Sequence, residues 1–339
     1  MELTADRAEE ILAAFAERRV LVVGDMTVDE HRIGSATRIS REAPVPVIEQ
    51  SGHMFLPGGA ANLAFNIRAL GADVSVAGLV GDDDMASRLR AMLDSAGVHT
   101  AGLIAEPDRP TSVKLRVWAG GDRQHQHQQV ARIDMVNHDP VSEVSQQELI
   151  LYLEGAVPEY DGVLISDYEN GVVDEPVLEA LLPLAARHGK FVGADSHGQL
   201  HRFHGIEALT PNQPEAEAEL GRSLHEPVEL LDGGAELLRE LDCQRLLITL
   251  GAMGMAVFDN EGEARAIPAR PVAGVADTTG AGDTVAGVFT LSLLAGATSA
   301  EAAAIANLAG AIVVTKLGAA TTSPDEILAR LVEDASAAE

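Results

Sequence analysis

The sequence predicts an α/β protein: a mostly parallel sheet with helices on both faces. Three observations carry that expectation. Short apolar runs of strand length alternate with amphipathic or small-residue segments of helix length along most of the chain. Several runs are apolar at nearly every position, as strands covered on both faces are. Many of the runs end in polar clusters, and open α/β sheets bind ligands beyond the carboxyl ends of their strands.

Taken in order, residues 7–18 have the spacing of an amphipathic helix, and 20–25 form an apolar run stopped by Gly-Asp, which suits a central parallel strand. Asp25, Thr27 and Asp29 follow at its carboxyl end and are candidates for contacting a hydroxylated ligand. The stretch Arg38-Ile39-Ser40-Arg41-Glu42-Ala43-Pro44-Val45-Pro46-Val47 carries two prolines at alternate positions. Proline has no amide donor, so a central strand is excluded and an edge strand or a lid hairpin is expected. Gly58-Gly59 opens a helix to about residue 70; adjacent glycines permit close approach of backbone to a ligand, and Asn62 reaches a hydroxyl from the first turn. A plain loop-to-helix junction would read the same way. Residues 73–81 are a strand and 84–96 a helix.

Residues 111–118 alternate polar and apolar positions, so Lys114 and Arg116 share one face of a strand. Its partner is 124–134, ending in Arg132-Ile133-Asp134. These three cations either meet a phosphate or form a solvated strand face. His125 and His127 lack a third ligand nearby, so no metal site is expected there. The chain then alternates: helix 142–156, strand 162–168, helix 174–188, strands 190–195 and 206–210, helices 213–221 and 228–241, strands 245–250 and 255–259. Polar groups cap three of these strands, at 166–168, 195–197 and 210–215, which suggests a shared cleft. No repeat or linker divides residues 1–339, so one domain is expected, fraying only from about Asp334.

The chemistry concentrates in Asp277-Thr278-Thr279-Gly280-Ala281-Gly282-Asp283-Thr284, which leads into an apolar, small-residue helix over 285–297. The near-absence of side chains at Gly280, Ala281 and Gly282 leaves their amides free at a helix N-terminus, where the dipole favours an anion such as a phosphoryl group. Asp283, expected mainly ionised, would accept a proton from an attacking hydroxyl. An ordinary N-cap is the alternative. A second buried helix, 302–314, carries the lone polar residue Asn307, either a core asparagine or a ligand contact.

Composition limits the partners. The net charge of −28 argues against nucleic acid and anionic membrane surfaces, so a phosphate-binding site would have to concentrate the few cations. The single cysteine, Cys243, excludes a disulfide framework and agrees with a reducing cytoplasm. The first residues lack the blocks of a signal peptide, and the apolar runs are too short to span a bilayer. No Gly-x-Gly-x-x-Gly follows the first strand and no Walker A string occurs.

The string 277–284 resembles the second signature of the ribokinase-like (PfkB) sugar kinases, and Gly58-Gly59-Ala60-Ala61-Asn62 resembles the first. The resemblance spans roughly 20–330. It implies a ribokinase-like three-layer α/β/α fold whose small β-sheet lid, strands from about 30–56 and 108–134, closes over the sugar. It also implies ATP and Mg²⁺ as requirements, Asp283 as base, and Asp29 on sugar hydroxyls. Asn212 and Glu215, from Asn-x-x-Glu, would organise the magnesium through water. Thr249, Gly251, Gly254 and Asn307 would border the nucleotide. The loop around Asp277, Thr279 and Gly318 would cradle a monovalent cation, K⁺. The strings at 38–47, 114–117, 132–134 and 314–319 resemble the heptose 7-phosphate kinases, including the kinase half of bifunctional heptose kinase/adenylyltransferases. That likeness adds Arg38, Lys114, Arg116 and Arg132 to the substrate set, and a homodimer made through the lid is expected. No His-x-Gly-His string is present, so adenylyl transfer would fall to a separate adenylyltransferase. The pattern's Asp-Pro-Lys-Gly reads Asp195-Ser196-His197-Gly198 here, and Arg41 stands where proline is common, leaving open a kinase for another sugar or a non-catalytic sugar sensor.

Overall fold

The computed structural model describes residues 3–338 apart from 121–127, 273, 276 and 317. Helix α1 (Ala5–Ala13), capped by the Thr4 hydroxyl, leads into strand β1 (Arg19–Gly24). Two long strands, β2 (Met26–Ile39) and β3 (Pro46–Gly59), project as a hairpin before α2 (Ala60–Ala69) returns. Then come β4 (Asp73–Gly81), α3 (Asp84–Ser95) and β5 (His99–Glu106), followed by β6 (Ser112–Gly120) and β7 (Gln128–Met135). From α4 (Glu143–Ala156) the chain runs through β8 (Gly162–Asp167), α5 (Glu175–Arg187), β9 (Phe191–Ser196) and β10 (Ala208–Leu209). Next are α6 (Gln213–Leu220), α7 (Pro227–Glu240), β11 (Arg245–Thr249) and the hairpin β12 (Gly254–Asp259) with β13 (Ala264–Pro268). Helices α8 (Ala281–Leu294), α9 (Ser299–Val313) and α10 (Pro324–Ala338) close the chain.

The large sheet has the order β13-β12-β11-β10-β9-β8-β1-β4-β5, parallel from β11 to β5 with an antiparallel hairpin at the β13 edge. Its central strand explains the apolar run. Val20 and Val22 pack on one side with Leu63 and Ile67 of α2 and Phe289 of α8; Leu21 and Val23 pack on the other with Leu149 of α4 and Leu181 of α5. Both faces are therefore dry, and each such side chain contributes about 1.5–3 kcal/mol relative to exposure.

The smaller sheet has the order β3-β2-β6-β7, with β2 and β6 parallel and the outer pairs antiparallel. This is the expected lid, and β3 is an edge strand beginning at Pro46, where the missing amide costs no ladder bond. In register, Asp29 faces Lys114 and His31 faces Arg116, with Asp134 and Arg132 opposite those two on β7.

Some elements depart from the sequence reading. β5 is broken by polar and exposed positions and β13 is mostly exposed, so neither shows a buried-strand pattern, yet pairing at the sheet edges forms both. The expected strand over 206–210 narrows to Ala208–Leu209. His125 and His127 lie outside the described residues. Among the described residues no helix is long and apolar enough to cross a membrane.

The β1–β8 contact sets the strand ends that face the site. A Cβ on Gly24 would lie 2.0 Å from the Ser166 carbonyl oxygen, and backbone there cannot yield as a side chain can. Gly24→Ala is expected to destabilise the protein by about 1–3 kcal/mol, read as a lower denaturant midpoint at unchanged slope.

Candidate active site

The site is built around the head of α8. Gly280 precedes the helix with φ +75°, a left-handed conformation, and a Cβ there would lie 2.6 Å from the Asn62 amide nitrogen. Both constraints demand glycine. Among the described residues the amides of Gly280, Gly282 and Asp283 make no hydrogen bond, whereas the Ala281 amide turns back to the Thr278 carbonyl at 3.3 Å. The expected set of Gly280, Ala281 and Gly282 is thus shifted: Ala281 is partly engaged and Asp283 adds its own amide.

The Asp283 side chain is buried in the first turn. Its Oδ2 accepts from Asn62 Nδ2 at 2.5 Å and its Oδ1 from the Tyr168 hydroxyl at 3.1 Å. Burial pushes its carboxyl up to about 6, while the two hydrogen bonds and His197 act in the opposite direction. At neutral pH it is mainly ionised, as expected, but closer to its titration than an exposed aspartate.

Two clefts meet there. One, about 340 Å³, is polar and lies under the lid; Lys114, Arg116 and Arg132 line it together with Asp29, Gly58, Gly59, Asn62, Tyr168, His197, Thr279, Gly280 and Asp283. The other, about 550 Å³, is mainly apolar, with Val272, Val275, Val285 and Val314 on its walls and Thr249, Gly251, Gly254, Asn307 and Gly282 around it. Helix α8 begins between them. A chain carrying −28 charges thus gathers three cations on one cleft wall. Arg116 is paired with Asp29 at 2.7 Å, both buried, and Arg132 with Asp134 at 2.9 Å. Lys114 has no carboxylate partner among the described residues; its Nζ sits 4.4 Å over the Tyr168 ring, and burial lowers its pKa.

Three sequence candidates lie apart. Asp25 does not line the cleft: its buried carboxylate accepts the amides of Tyr168 (2.7 Å), Asn170 (3.1 Å) and Val172 (3.3 Å), and so fixes the loop after β8. Thr27 is buried behind Gly59. Arg38 is exposed near the far end of β2 and does not line the cleft, and Arg41 is exposed in the loop beyond it. Asn62 reaches the cleft but spends its amide on Asp283.

Asn212 and Glu215 form a capping box at the start of α6. Glu215 Oε1 also meets His197 Nδ1 at 2.8 Å, which holds the imidazole pKa above its ordinary value. Asn307 donates to the Pro268 carbonyl at 2.8 Å while lining the apolar cleft, so it is both a packing and a wall residue. Asp277 shapes its loop by accepting the amides of Thr279 (2.9 Å) and Gly318 (3.1 Å). Tyr168 and His197 were absent from the residue set taken from sequence; the signal was there, since both sit in polar groups at strand ends.

Residues 17–326 match the pfkB family carbohydrate kinase. The chain is 38% identical over 321 residues to the "Bifunctional protein HldE" of Desulfatibacillum aliphaticivorans, covering 94% of this chain and 64% of that protein. It is 40% identical over 316 residues to the protein of the same name from Citrifermentans bemidjiense, covering 92% and 63%. The chain thus spans slightly under two thirds of the length of these relatives. Phosphofructokinase-2 from Escherichia coli in complex with potassium shares the fold at TM-score 0.77 and 22% identity, covering 93% of this chain and 99% of that one. Arabidopsis thaliana ribokinase complexed with ribose and ATP does so at 0.71 and 20%, covering 93% and 98%. The chain belongs to the pfkB family of carbohydrate kinases, phosphotransferases that act on an alcohol group, with a ribokinase-like fold.

Proposed function

We propose that this sugar kinase uses ATP to phosphorylate O1 of D-glycero-β-D-manno-heptose 7-phosphate, giving the 1,7-bisphosphate. The observation that carries the reading is Asp283, a carboxylate at the junction of a cationic polar cleft and an apolar one, beside unbonded helix-start amides. In this reading the anomeric hydroxyl lies against Asp283, which takes its proton, and the amides of Gly280, Gly282 and Asp283 face the charge that develops on the transferred group. Asp29, Gly58 and Gly59 contact sugar hydroxyls, and Lys114, Arg116 and Arg132 hold the 7-phosphate. The strings at 38–47, 114–117 and 314–319 support the heptose, as does the identity to HldE proteins along nearly the whole chain.

The apolar cleft fits a purine, with Asn307, Thr249, Gly251 and Gly254 around it and the α8 amides at its phosphate end. Glu215 fits an indirect role toward magnesium: three donors already occupy its oxygens, leaving room for one water contact, and Asn212 fixes its orientation. Bound Mg²⁺ would neutralise phosphate charge. The loop tied by Asp277 to Thr279 and Gly318 is the proposed K⁺ site.

Residues 1–339 are taken as one kinase domain carrying the lid. Ile133 and Met135 are exposed and alternate with the cleft residue Arg132, so they lie on the lid's other face. A second copy of the chain is proposed to cover that face.

Asp283→Asn is expected to lower kcat by about 10²–10⁴-fold with nucleotide KM little changed, and near-normal turnover would remove the assigned base. The base works ionised, so kcat/KM should fall about tenfold per pH unit below about 6 and lie flat above it. Coupled ADP release across heptose 7-phosphate, ribose, fructose and fructose phosphates tests the acceptor. With the preferred sugar phosphate, Lys114→Met should raise KM by about 10–100-fold, the loss of one charge-assisted bond. Equal KM for phosphorylated and unphosphorylated sugars would contradict the anionic subsite.

A further inference from the structure

We propose that Tyr168 is a positioning residue joining acceptor recognition to proton transfer: its hydroxyl holds the Asp283 carboxylate while its ring carries Lys114 of the lid. The inference rests on reading Asp283 as the base.

Tyr168 is placed by backbone. It follows β8 directly, and its amide is the shortest of the three that Asp25 accepts, at 2.7 Å. Glu169, the next residue, has φ +58°, so the chain turns sharply in a left-handed conformation behind it. The side chain then makes three contacts at once. Its hydroxyl donates to Asp283 Oδ1 at 3.1 Å. Lys114 Nζ lies over its face at 4.4 Å, where the ring quadrupole attracts a cation. The His197 ring meets it edge-on at 4.3 Å.

Asn62 donates to the other oxygen of Asp283, so two donors from two separate elements hold the carboxylate, and rotation breaks at least one bond. A phenol beside a buried carboxylate is itself a candidate base. Burial and the charges of Asp283, Asp195 and Asp29 hold the Tyr168 hydroxyl well above its usual range, which favours the donor role beside the carboxylate. The groups facing Asp283 divide by sign. Asn62, Tyr168 and His197 favour the ionised form; burial and Asp29 oppose it. Asp195, half-buried, opposes it too where ionised, though its own carboxyl is pushed up to about 7, and Lys114 on the Tyr168 ring adds positive charge. Losing the Tyr168 donor alone should therefore make Asp283 harder to ionise and free it to turn.

Tyr168→Phe keeps the ring, and with it the Lys114 and His197 contacts. Relative to wild type, kcat should fall about tenfold, KM for the phosphorylated acceptor should stay within about twofold, and the acidic limb of kcat/KM should move up by about one pH unit. In an Asp283→Asn background the same change should cost nothing more. Incorporating 3,5-difluorotyrosine, which strengthens the phenol as a donor without removing it, should move the limb down. A ¹³C titration of the Asp283 carboxyl, with no substrate present, should show both shifts. If neither the carboxyl titration nor the limb moves in Tyr168→Phe, the proposal is overturned, while heptose 7-phosphate turnover by wild type would leave the assigned reaction standing. Failure of that turnover with the carboxyl shifts intact would overturn the acceptor and keep Tyr168 in its role.

Discussion

The site depends on burying one carboxylate at a helix start. Asp283 needs donors to remain ionised away from water, and they come from elements distant in sequence: Asn62 from the first turn of α2 and Tyr168 from the loop after β8. Convergence requires each backbone to be fixed independently. Asp25 fixes the loop by accepting its amides. Gly59, at φ +57°, starts α2 with its Cβ position 2.5 Å from the Asp25 carbonyl oxygen, and Asn66 holds Asn62 from one turn on. Asn66 Oδ1 also accepts the Thr284 hydroxyl at 2.7 Å, tying α2 to α8 directly beside Asp283. One buried charge thus accounts for one glycine, two asparagines and an aspartate that never enters the cleft.

Charge on the lid follows a different rule. The protein is strongly acidic, yet on the cleft face of β2, β6 and β7 each arginine has a carboxylate neighbour, Asp29 for Arg116 and Asp134 for Arg132. Pairing keeps the arginines oriented and lowers the cost of burying Arg116, at the expense of free positive charge. Lys114 rests on an aromatic face instead, with no carboxylate partner among the described residues to offset it. His31 adds a neutral surface beside them: the Trp118 indole donates to its Nδ1 at 3.0 Å, and burial with Arg116 nearby lowers its pKa.

Most of the large sheet was legible because its strands are buried on both faces and so read as unbroken apolar runs; β5 and β13, at its edges, are not. The glycine–aspartate turn was legible because only glycine satisfies both a positive φ and the approach of Asn62. Asp25 misled for an electrostatic reason: an aspartate at a strand end reads alike whether it faces ligand or captures backbone amides. Arg38 misled for a geometric one, since a 14-residue strand carries its far end well away from the sheet that anchors it. Tyr168 and His197 were legible only as members of strand-end polar groups, because which of those side chains meet across the cleft is a tertiary fact with no local periodicity.

Position 197 shows what one substitution does to this arrangement. The resembling pattern has a lysine there, and an ammonium would add a mobile cation to the cleft wall. Here the imidazole is committed on both sides, its Nδ1 to Glu215 and its edge to Tyr168, and the Glu215 hydrogen bond is the main reason its pKa is raised. Any positive charge it carries is therefore offset by Glu215 of α6, although the ring lines the polar cleft. Arg41 does not replace it, being exposed beyond the cleft. Under the proposed reaction, anion recognition then falls to the lid alone. Because Lys114 meets the rest of the site through the Tyr168 ring, a lid that shifts on β6 would carry its cation across the face of the residue that holds the base.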